Sequence, residues 1–193
     1  MTTDEILDIL ELRFPNAHCE LVHQNPFELL VAVVLSAQTT DAAVNKITPA
    51  LFEAFPTPKA LASANSNEVE AKIRRIGLYR NKARSIQALS ASLVEHFDGQ
   101  VPQSMKELTS LAGVGRKTAN VVRSVCFDIP AIAVDTHVER IAKRLGLAKV
   151  GDSVEVVEQK LKRKIKRERW NRAHHLFIFF GRYQCTARNP QCD

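Results

Sequence analysis

The chain has 193 residues, 45% of them hydrophobic and 25% charged, which is the composition of a globular protein and excludes a disordered or collagen-like chain. Four cysteines are too few for a disulfide scaffold, and seven glycines argue against an all-β chain full of tight turns. No basic and apolar leader opens the sequence, and the longest apolar run, Leu29 to Leu35, is too short to cross a bilayer. We therefore expect a cytoplasmic protein that makes no membrane contact.

The positive charge is unevenly distributed along the chain. There are 27 basic and 21 acidic residues, a net charge of +6, but residues 1–30 contain six acidic residues against Arg13 alone. The remainder therefore carries +11, concentrated in a first basic stretch, 72–84, and a second basic stretch, 160–172. One such stretch is ordinarily a solvated helix face, whereas two favour a phosphate-binding surface. We also expect the acidic N-terminal helix and the basic C-terminal third to lie together.

Hydrophobic residues recur at spacings of three and four almost throughout, which predicts about ten helices and no strand, hence an all-α fold. The apolar run from Leu29 to Leu35 has no evident partner strand and is predicted to be a buried helix. Helix starts are indicated at Thr2…Glu5, Thr57-Pro58, Asn67…Glu70 and Ser104…Glu107. Left-handed C-terminal caps are predicted where glycines follow helical runs, at Gly77, Gly99, Gly146 and Gly181.

The sharpest pattern lies in residues 104–125, where a short helix, a turn and a second helix follow one another. Gly113 and Gly115 flank the apolar Val114 in the turn. Glycines permit positive φ and leave backbone N–H groups uncovered by side chains, and the N-terminus of the next helix lies directly behind them. The pattern therefore predicts a packed helical hairpin whose turn binds an anion.

Arg116 and Lys117 occupy the first turn of the second hairpin helix. Two cations at the positive end of a helix dipole are unfavourable by some tenths of a kcal/mol, and a bound phosphate would offset that cost. A solvated surface lysine is the alternative interpretation of Lys117, and the sequence leaves both open.

The second candidate is Asp135, which directly precedes a helix predicted over 136–145 and follows an apolar strip over 129–134. A helix N-cap is its simplest role. A position facing Lys117 would instead make the two residues an amine nucleophile with a carboxylate partner. His137 could contact a phosphate or could be an ordinary helix histidine.

Taken together, these segments resemble the helix-hairpin-helix DNA glycosylases. The likeness rests on six motifs spread over nearly the whole chain: 25–30, 35–41, 76–83, 111–122, 134–140 and 174–185. The resemblance implies an all-α, two-lobed protein with a helix-hairpin-helix motif at 104–125 and a DNA-binding cleft between the lobes. The implied domains are a six-helix domain, 21–130, and a terminal helical domain, 1–20 plus 131–193.

The resemblance also implies a bifunctional base-excision repair enzyme, a DNA N-glycosylase with AP (β-elimination) lyase activity that removes oxidised pyrimidines from duplex DNA. Lys117 falls on the family's nucleophilic lysine, whose amine attacks the sugar C1′ and forms a Schiff base. Asp135 falls on the catalytic aspartate. The implied partner is double-stranded DNA carrying an oxidised pyrimidine or an abasic site, bound by a monomer at the bacterial nucleoid.

Enzymes of this kind extrude the damaged base and fill the gap that it leaves in the stack. Gln38 and Leu78 fall on the family's inserted residues, and an amide and an apolar wedge suit that task. Without the resemblance, Leu78 would be interpreted as a core residue and Gln38 as a polar helix residue. The other DNA contacts that the resemblance implies are Gly113, Val114, Gly115, Arg116 and His137.

The cysteines depart from the family pattern. The family binds a [4Fe-4S] cluster through four cysteines spaced Cys-x6-Cys-x2-Cys-x5-Cys, and Cys185 and Cys192 match only the first two, since Asp193 is the last residue given. Two thiolates do not make a four-ligand cluster. We therefore expect either a further C-terminal segment or a protein without the cluster.

Two other functions remain open at the level of sequence. A non-catalytic helix-hairpin-helix protein would hold DNA through the hairpin and the basic faces without chemistry. A monofunctional glycosylase would remove a base without cutting the strand, but such relatives lack the lysine that this chain has at Lys117.

Overall fold

The computed structural model of the protein describes residues 1–191, and every regular element within them is a helix. This confirms the all-α prediction. The α-helices are α1 (Thr3–Arg13), α2 (Pro26–Leu35), α3 (Asp41–Ala54), α4 (Pro58–Ala62), α5 (Ser66–Ile73), α6 (Tyr79–His96), α7 (Met105–Ser110), α8 (Arg116–Phe127), α9 (Thr136–Arg144), α10 (Val154–Lys164) and α11 (Trp170–Tyr183). A short 3-10 helix, Arg167–Arg169, precedes α11. None of these helices is long and apolar enough to cross a membrane.

The chain divides into two compact units. The central unit is Glu20–Val122, and the terminal unit is Met1–Cys19 together with the chain from Arg123 onward. The second junction lies inside α8, because the last residues of that helix pack with the terminal unit. The domain bounds 21–130 and 1–20 plus 131–193 stay predictions.

Helix α2 forms the centre of the central unit. Asn25 caps it by accepting a hydrogen bond from the Glu28 N–H, and Pro26 occupies its first position, where its missing N–H costs nothing. Every side chain from Leu29 to Leu35 is at most 5% exposed. A helix that is apolar on all faces has to be covered on all sides, and α3 and α6 pack against it. The predicted buried helix is confirmed.

The terminal unit has its own core, in which α11 packs against α9 and α1. Phe177, Leu7, Ile141 and Leu161 are fully buried there. Gly181 lies within α11, so the predicted cap at this position is wrong. A Cβ on Gly181 would lie 3.2 Å from Cβ of His137 and from Cγ1 of Ile141, and the glycine therefore permits the close approach of α9 and α11.

The remaining start and stop signals are partly confirmed. Thr2, Thr57 and Ser104 cap their helices as predicted, and Gly99 and Gly146 adopt the predicted positive φ. Two predictions are wrong. Helix α5 is capped by Asn65, because its backbone is extended whereas Asn67 already lies in the helix. The left-handed residue after α5 is Leu78, with a φ of 58°, and not Gly77.

The second basic stretch pairs with the acidic N-terminal helix. Arg169 donates to Asp4 at 3.2 Å and to Asp8 at 2.8 Å. Arg172 donates to both oxygens of Glu11 at 2.9 Å and holds the pKa of that carboxyl below its usual range. The expected contact between the acidic helix and the basic C-terminal third is confirmed.

These pairs change the interpretation of the second basic stretch. Besides the arginines, Lys160 pairs with Asp152 at 2.6 Å and Lys162 pairs with Glu158 within α10. A cation that is already paired within its own unit contributes less to a field that attracts phosphate. The pairs reduce the charge that the second stretch offers to a phosphate, and the phosphate-binding surface predicted from the two stretches stays a prediction.

A half-buried histidine in the terminal unit, His175, makes folding sensitive to acid. Burial lowers the pKa of His175 on α11 to about 3, and the neighbouring His174, Arg172 and His18 act in the same direction. A histidine in an unfolded chain titrates near pH 6.5. Between pH 6.5 and about 3 the unfolded chain therefore binds one more proton than the folded protein, and the free energy of unfolding falls as the pH falls.

We expect His175→Gln to flatten this acid dependence. Between pH 7 and pH 5 the histidine should account for about 2 kcal/mol of lost stability, which urea denaturation at the two pH values measures. His96→Gln, which changes an exposed histidine of α6, serves as the control and should behave as the wild type does. Equal losses in the wild type and in His175→Gln would contradict the prediction.

Candidate functional site

The predicted hairpin is present in the central unit. Ser104 caps α7 by accepting from the Glu107 N–H at 3.2 Å, and α7 ends at Ser110. The turn follows, with Val114 buried and its N–H donating to the Leu111 carbonyl at 3.1 Å. Helix α8 then starts at Arg116. The buried valine anchors the turn and leaves the glycines on either side of it exposed.

Gly113 adopts a φ of +74°, which L side chains rarely take. A Cβ on this residue would lie 3.1 Å from Cγ1 of Val34 on α2 and 3.1 Å from Cβ of Ser85 on α6. The glycine is therefore required both by the backbone and by close packing. Gly115 differs, because its φ is not positive and a Cβ there would meet nothing within 4 Å.

The turn presents uncovered hydrogen-bond donors. Within the part of the chain that the structure describes, neither the Gly113 amide nor the Gly115 amide donates a hydrogen bond. Arg116 and Lys117 are exposed in the first turn of α8. Uncovered amides at a helix N-terminus next to two cations form an arrangement that can bind a phosphate.

Gln38 lies in the turn between α2 and α3, outside both helices. It is exposed and adopts a φ of 53°. The interpretation of Gln38 as a polar helix residue is therefore wrong. Its position follows from two local signals, because α2 ends at Leu35 and Thr40 caps α3 by accepting from the Ala43 N–H.

Leu78 lies directly before α6 with a φ of 58° and 59% of its surface exposed. The interpretation of Leu78 as a core residue is therefore wrong. A leucine in the left-handed region costs roughly 1–2 kcal/mol. Because most of the Leu78 side chain is exposed, burial of its apolar surface offsets little of this cost. Strain of this kind persists where the surrounding structure imposes it, and it clusters at functional sites.

The hairpin turn, Gln38 and Leu78 lie at one end of the pair formed by α2 and α6. Val34, which Gly113 approaches, is in the last turn of α2, and Gln38 follows that turn. Ser85, the other neighbour of Gly113, is in the second turn of α6, and Leu78 precedes that helix. The predicted DNA contacts of the central unit therefore lie together, at the C-terminal end of α2 and the N-terminal end of α6.

The first basic stretch adds exposed charge beside this end. Its exposed cations are Lys72, Arg74, Arg75, Arg80 and Arg84. Within the described residues, Arg80 alone among these five is near a carboxylate, that of Glu70 at 3.9 Å. The charge of this stretch therefore stays available to an anionic ligand, in contrast to the paired part of the second stretch.

Asp135 caps α9 in the terminal unit. Its Oδ1 accepts from the Val138 N–H at 2.8 Å, which confirms the N-cap interpretation. No described residue forms a hydrogen bond with its other carboxylate oxygen. The cap therefore restricts the orientation of the carboxylate and leaves its other oxygen without a hydrogen bond to any described residue.

Helix α11 holds the strip that precedes Asp135. The Ala131 N–H donates to Oδ1 of Asn171 at 2.9 Å, and Nδ1 of the buried His174 lies 2.9 Å from the Ala133 carbonyl, to which it donates. The sequence did not indicate that Asn171 and His174 hold the strip before Asp135. Both contacts join residues about 40 positions apart, and no local pattern in the sequence marks them.

His137 is half-buried against α11 at Gly181. Its Nδ1 lies 3.3 Å from a guanidinium nitrogen of Arg140, and burial lowers its pKa. Its predicted phosphate contact stays a prediction. So does the pairing of Lys117 with Asp135, since the first belongs to the central unit and the second to the terminal unit.

Comparison with known proteins identifies the family. The sequence profile of "HhH-GPD superfamily base excision DNA repair protein" matches residues 31–167, which is more than half of the chain. The chain belongs to the HhH-GPD superfamily. Endonuclease III of Bacillus subtilis (strain 168) is 55% identical over 186 residues, which cover 96% of this chain and 85% of that protein.

Solved structures agree with this HhH-GPD assignment. One is described as a trapped endonuclease III–DNA covalent intermediate in an estranged-adenine complex, and another as a non-covalent endonuclease III–DNA complex. Each has a TM-score of 0.95 and 57% identity to this chain, covering all of it and 92% and 91% of the respective solved chains. The resemblance to the helix-hairpin-helix glycosylases is confirmed, with bacterial endonuclease III as a close relative.

The described residues do not include the four cysteine ligands that hold the [4Fe-4S] cluster in HhH-GPD relatives. Cys185 is buried, and its Sγ accepts from Arg144 at 3.2 Å. Cys192 lies outside the described residues. In residues 1–191 no group of three or more His, Cys, Asp or Glu side chains could hold a metal ion. Residues 1–191 do not by themselves supply the ligands of a four-thiolate cluster.

Gly113→Ala and Gly115→Ala form a matched pair of tests for the hairpin. We expect Gly113→Ala to lower the free energy of unfolding by about 1–2 kcal/mol through the left-handed backbone alone, and its new Cβ would also crowd Val34 and Ser85. Gly115→Ala should change stability by less than about 0.5 kcal/mol. Urea denaturation measures both, and equal effects would contradict the geometry of the turn.

Proposed function

We propose that the protein is a base-excision repair enzyme, a DNA N-glycosylase with AP lyase activity that removes oxidised pyrimidines from duplex DNA. The observation that carries this proposal is the exposed Lys117, placed in the first turn of α8 directly behind the hairpin turn of an HhH-GPD chain. The covalently trapped DNA complex of a 57% identical relative supports a mechanism that passes through a protein–DNA bond. Its site of action is the chromosome, in the bacterial cytoplasm.

Lys117 is the nucleophile in this proposal. Its free amine attacks the sugar C1′ of the damaged nucleotide, the C1′–N bond breaks, and the base leaves with the electron pair of that bond. Opening of the sugar ring gives a Schiff base between Nζ and C1′. Removal of a proton from C2′ then drives cleavage of the C3′–O bond, and the 3′ phosphate leaves. Hydrolysis of the imine returns the free lysine.

Asp135 is the proposed partner of the reacting centre. The Val138 N–H holds one of its oxygens, so the carboxylate cannot rotate freely, and the strip before it is tied to α11. A fixed carboxylate can take the proton that the lysine must lose before it attacks. It can also stabilise the positive charge that develops on the sugar as the base departs.

The hairpin and the turns at the same end of the central unit bind the DNA in this proposal. The amides of Gly113 and Gly115, with Val114 between them, hold a backbone phosphate, and Arg116 adds a charge beside it. Gln38 and Leu78 enter the gap that the extruded nucleotide leaves. The left-handed, exposed conformation of both residues supports this role. His137 is proposed as a further phosphate contact.

Borohydride trapping on a duplex that contains thymine glycol tests the nucleophile. Lys117→Gln should abolish the covalent adduct, because an amide has no free amine, while duplex binding is largely retained. Lys106→Gln changes an exposed lysine of α7 in the same hairpin and should trap as the wild type does.

Three outcomes would contradict this proposal. Cross-linking by Lys117→Gln would mean that another amine is the nucleophile. No adduct from the intact protein, with binding retained, would favour the non-catalytic DNA-binding function. Base release without strand cleavage or trapping would favour the monofunctional glycosylase.

Asp135→Asn separates the two roles of Asp135. Asparagine caps helices about as well as aspartate does, so thermal unfolding should shift little, whereas loss of the charge should slow single-turnover trapping about 100-fold or more. Asp135→Ala removes both the cap and the charge and should also destabilise the protein by about 1 kcal/mol. If Asp135→Asn traps at the wild-type rate, the carboxylate has no role in the chemistry and Asp135 serves only as a helix cap.

A further inference from the structure

Lys82 is the one lysine that is buried among residues 1–191, with 6% of its surface exposed. It lies on α6, one turn after Leu78. Burying a cation is unfavourable unless a carboxylate or hydrogen bonds compensate, and no described carboxylate pairs with it. Burial also lowers the pKa of its ammonium group. An apolar side chain would fill the same space without this cost, so packing alone does not explain why a lysine occupies this position.

The Lys82 side chain reaches the turn that carries Gln38. Its Nζ donates to Oγ1 of Thr39 at 2.7 Å. The same hydroxyl donates to the Ala37 carbonyl at 3.4 Å, and the Thr39 N–H donates to the Ser36 carbonyl at 3.1 Å. These bonds hold the residues on both sides of Gln38, and the lysine is their link to α6.

The Lys82 backbone holds the turn that carries Leu78. Its N–H donates to the Leu78 carbonyl at 3.0 Å, the first hydrogen bond of α6. No side chain caps this helix start. One residue therefore touches both turns, through its side chain on one and through its backbone on the other.

We propose that Lys82 is a positioning residue that holds the Gln38 and Leu78 turns at a fixed separation, so that both side chains enter the gap in the base stack together. The inference rests on the proposed function, which assigns gap filling to these two residues. Each turn is strained, and strained turns keep their conformation only where their surroundings determine it. The buried alkyl stem of the lysine fixes its direction, and the ammonium group supplies the hydrogen bond that an apolar residue could not.

Lys82→Met tests this role, because it keeps the length of the stem and removes the ammonium group. We expect single-turnover excision of thymine glycol from a duplex to fall at least tenfold. The fluorescence of a 2-aminopurine placed opposite the lesion should report incomplete filling of the gap. Lys59→Met, at an exposed position on α4, is the matched control and should change neither readout.

Thr39→Val removes the acceptor of the same hydrogen bond, and it provides a second test if Lys82→Met folds poorly. It should reproduce the loss seen in Lys82→Met, because it removes the acceptor and preserves the shape of the side chain. Thr39→Ser restores the hydroxyl and should recover excision to within about threefold of the wild type. Loss in the valine variant without recovery in the serine variant would mean that packing matters at Thr39 and the hydrogen bond does not.

A double-mutant cycle with Gln38→Ala decides whether Lys82 acts through the side chain whose turn its ammonium group holds. If it does, Lys82→Met should cost less than twofold in a protein that already lacks the Gln38 side chain. Multiplicative losses would overturn the inference, because Lys82 would then act independently of Gln38. A lower melting temperature with unchanged excision would also overturn it, by reducing Lys82 to a structural role.

The salt dependence of binding separates positioning from direct contact with the DNA. A residue that touches a phosphate lowers the slope of log K against log salt by about one when it is removed. Lys82→Met should leave the slope unchanged, and a lowered slope would overturn the inference. Failure of the wild type to trap on a preformed abasic site would instead overturn the proposed function, so the two failures are distinguishable.

Discussion

Helix α2 is apolar on every face, and a helix of that kind is stable only when other elements cover all of it. Its burial determines what lies around it in the central unit, with α3 and α6 as packing partners. The hairpin turn approaches its last turn so closely that Gly113 can carry no side chain. The turn that leaves its C-terminus carries Gln38. The position of the candidate DNA-binding end thus follows from the requirement to cover one helix.

Charge pairing gives the two basic stretches different roles. Arg169 and Arg172 of the second stretch pair with carboxylates of α1 and so join the two ends of the chain within the terminal unit, while Lys162 pairs with Glu158 inside α10. The first stretch is exposed and lies beside Leu78, where it can attract phosphate. Net charge along a sequence is therefore a weak indicator of a DNA-binding surface, because charges that are satisfied within the fold contribute little to the field outside it.

The two residues proposed to enter the DNA gap have a backbone conformation that only Asp98 and Asp128 share among the other described non-glycine residues. Gln38 and Leu78 have left-handed backbones without being glycine, and Leu78 is an exposed apolar side chain. Lys82 is a buried cation without a carboxylate. Local rules of this kind fail where function and not stability selects the residue. The buried Lys82 forms a hydrogen bond with each of the two strained turns, which supports a common purpose.

The sequence by itself determined the helical class, the buried α2, most helix starts and the hairpin, because these depend on periodicity, caps and glycines that act within a few residues. It placed Lys117 and Asp135 through motifs specific to the HhH-GPD family. It could not show that Arg169 and Arg172 are paired, since their carboxylates lie more than 150 residues away in the chain. Nor could it show that Leu78 leaves the core, that Gly181 serves close packing of α9 and α11, or that Lys82 links two turns. Only the tertiary structure decided these features, because each depends on a contact between segments that are distant in the chain.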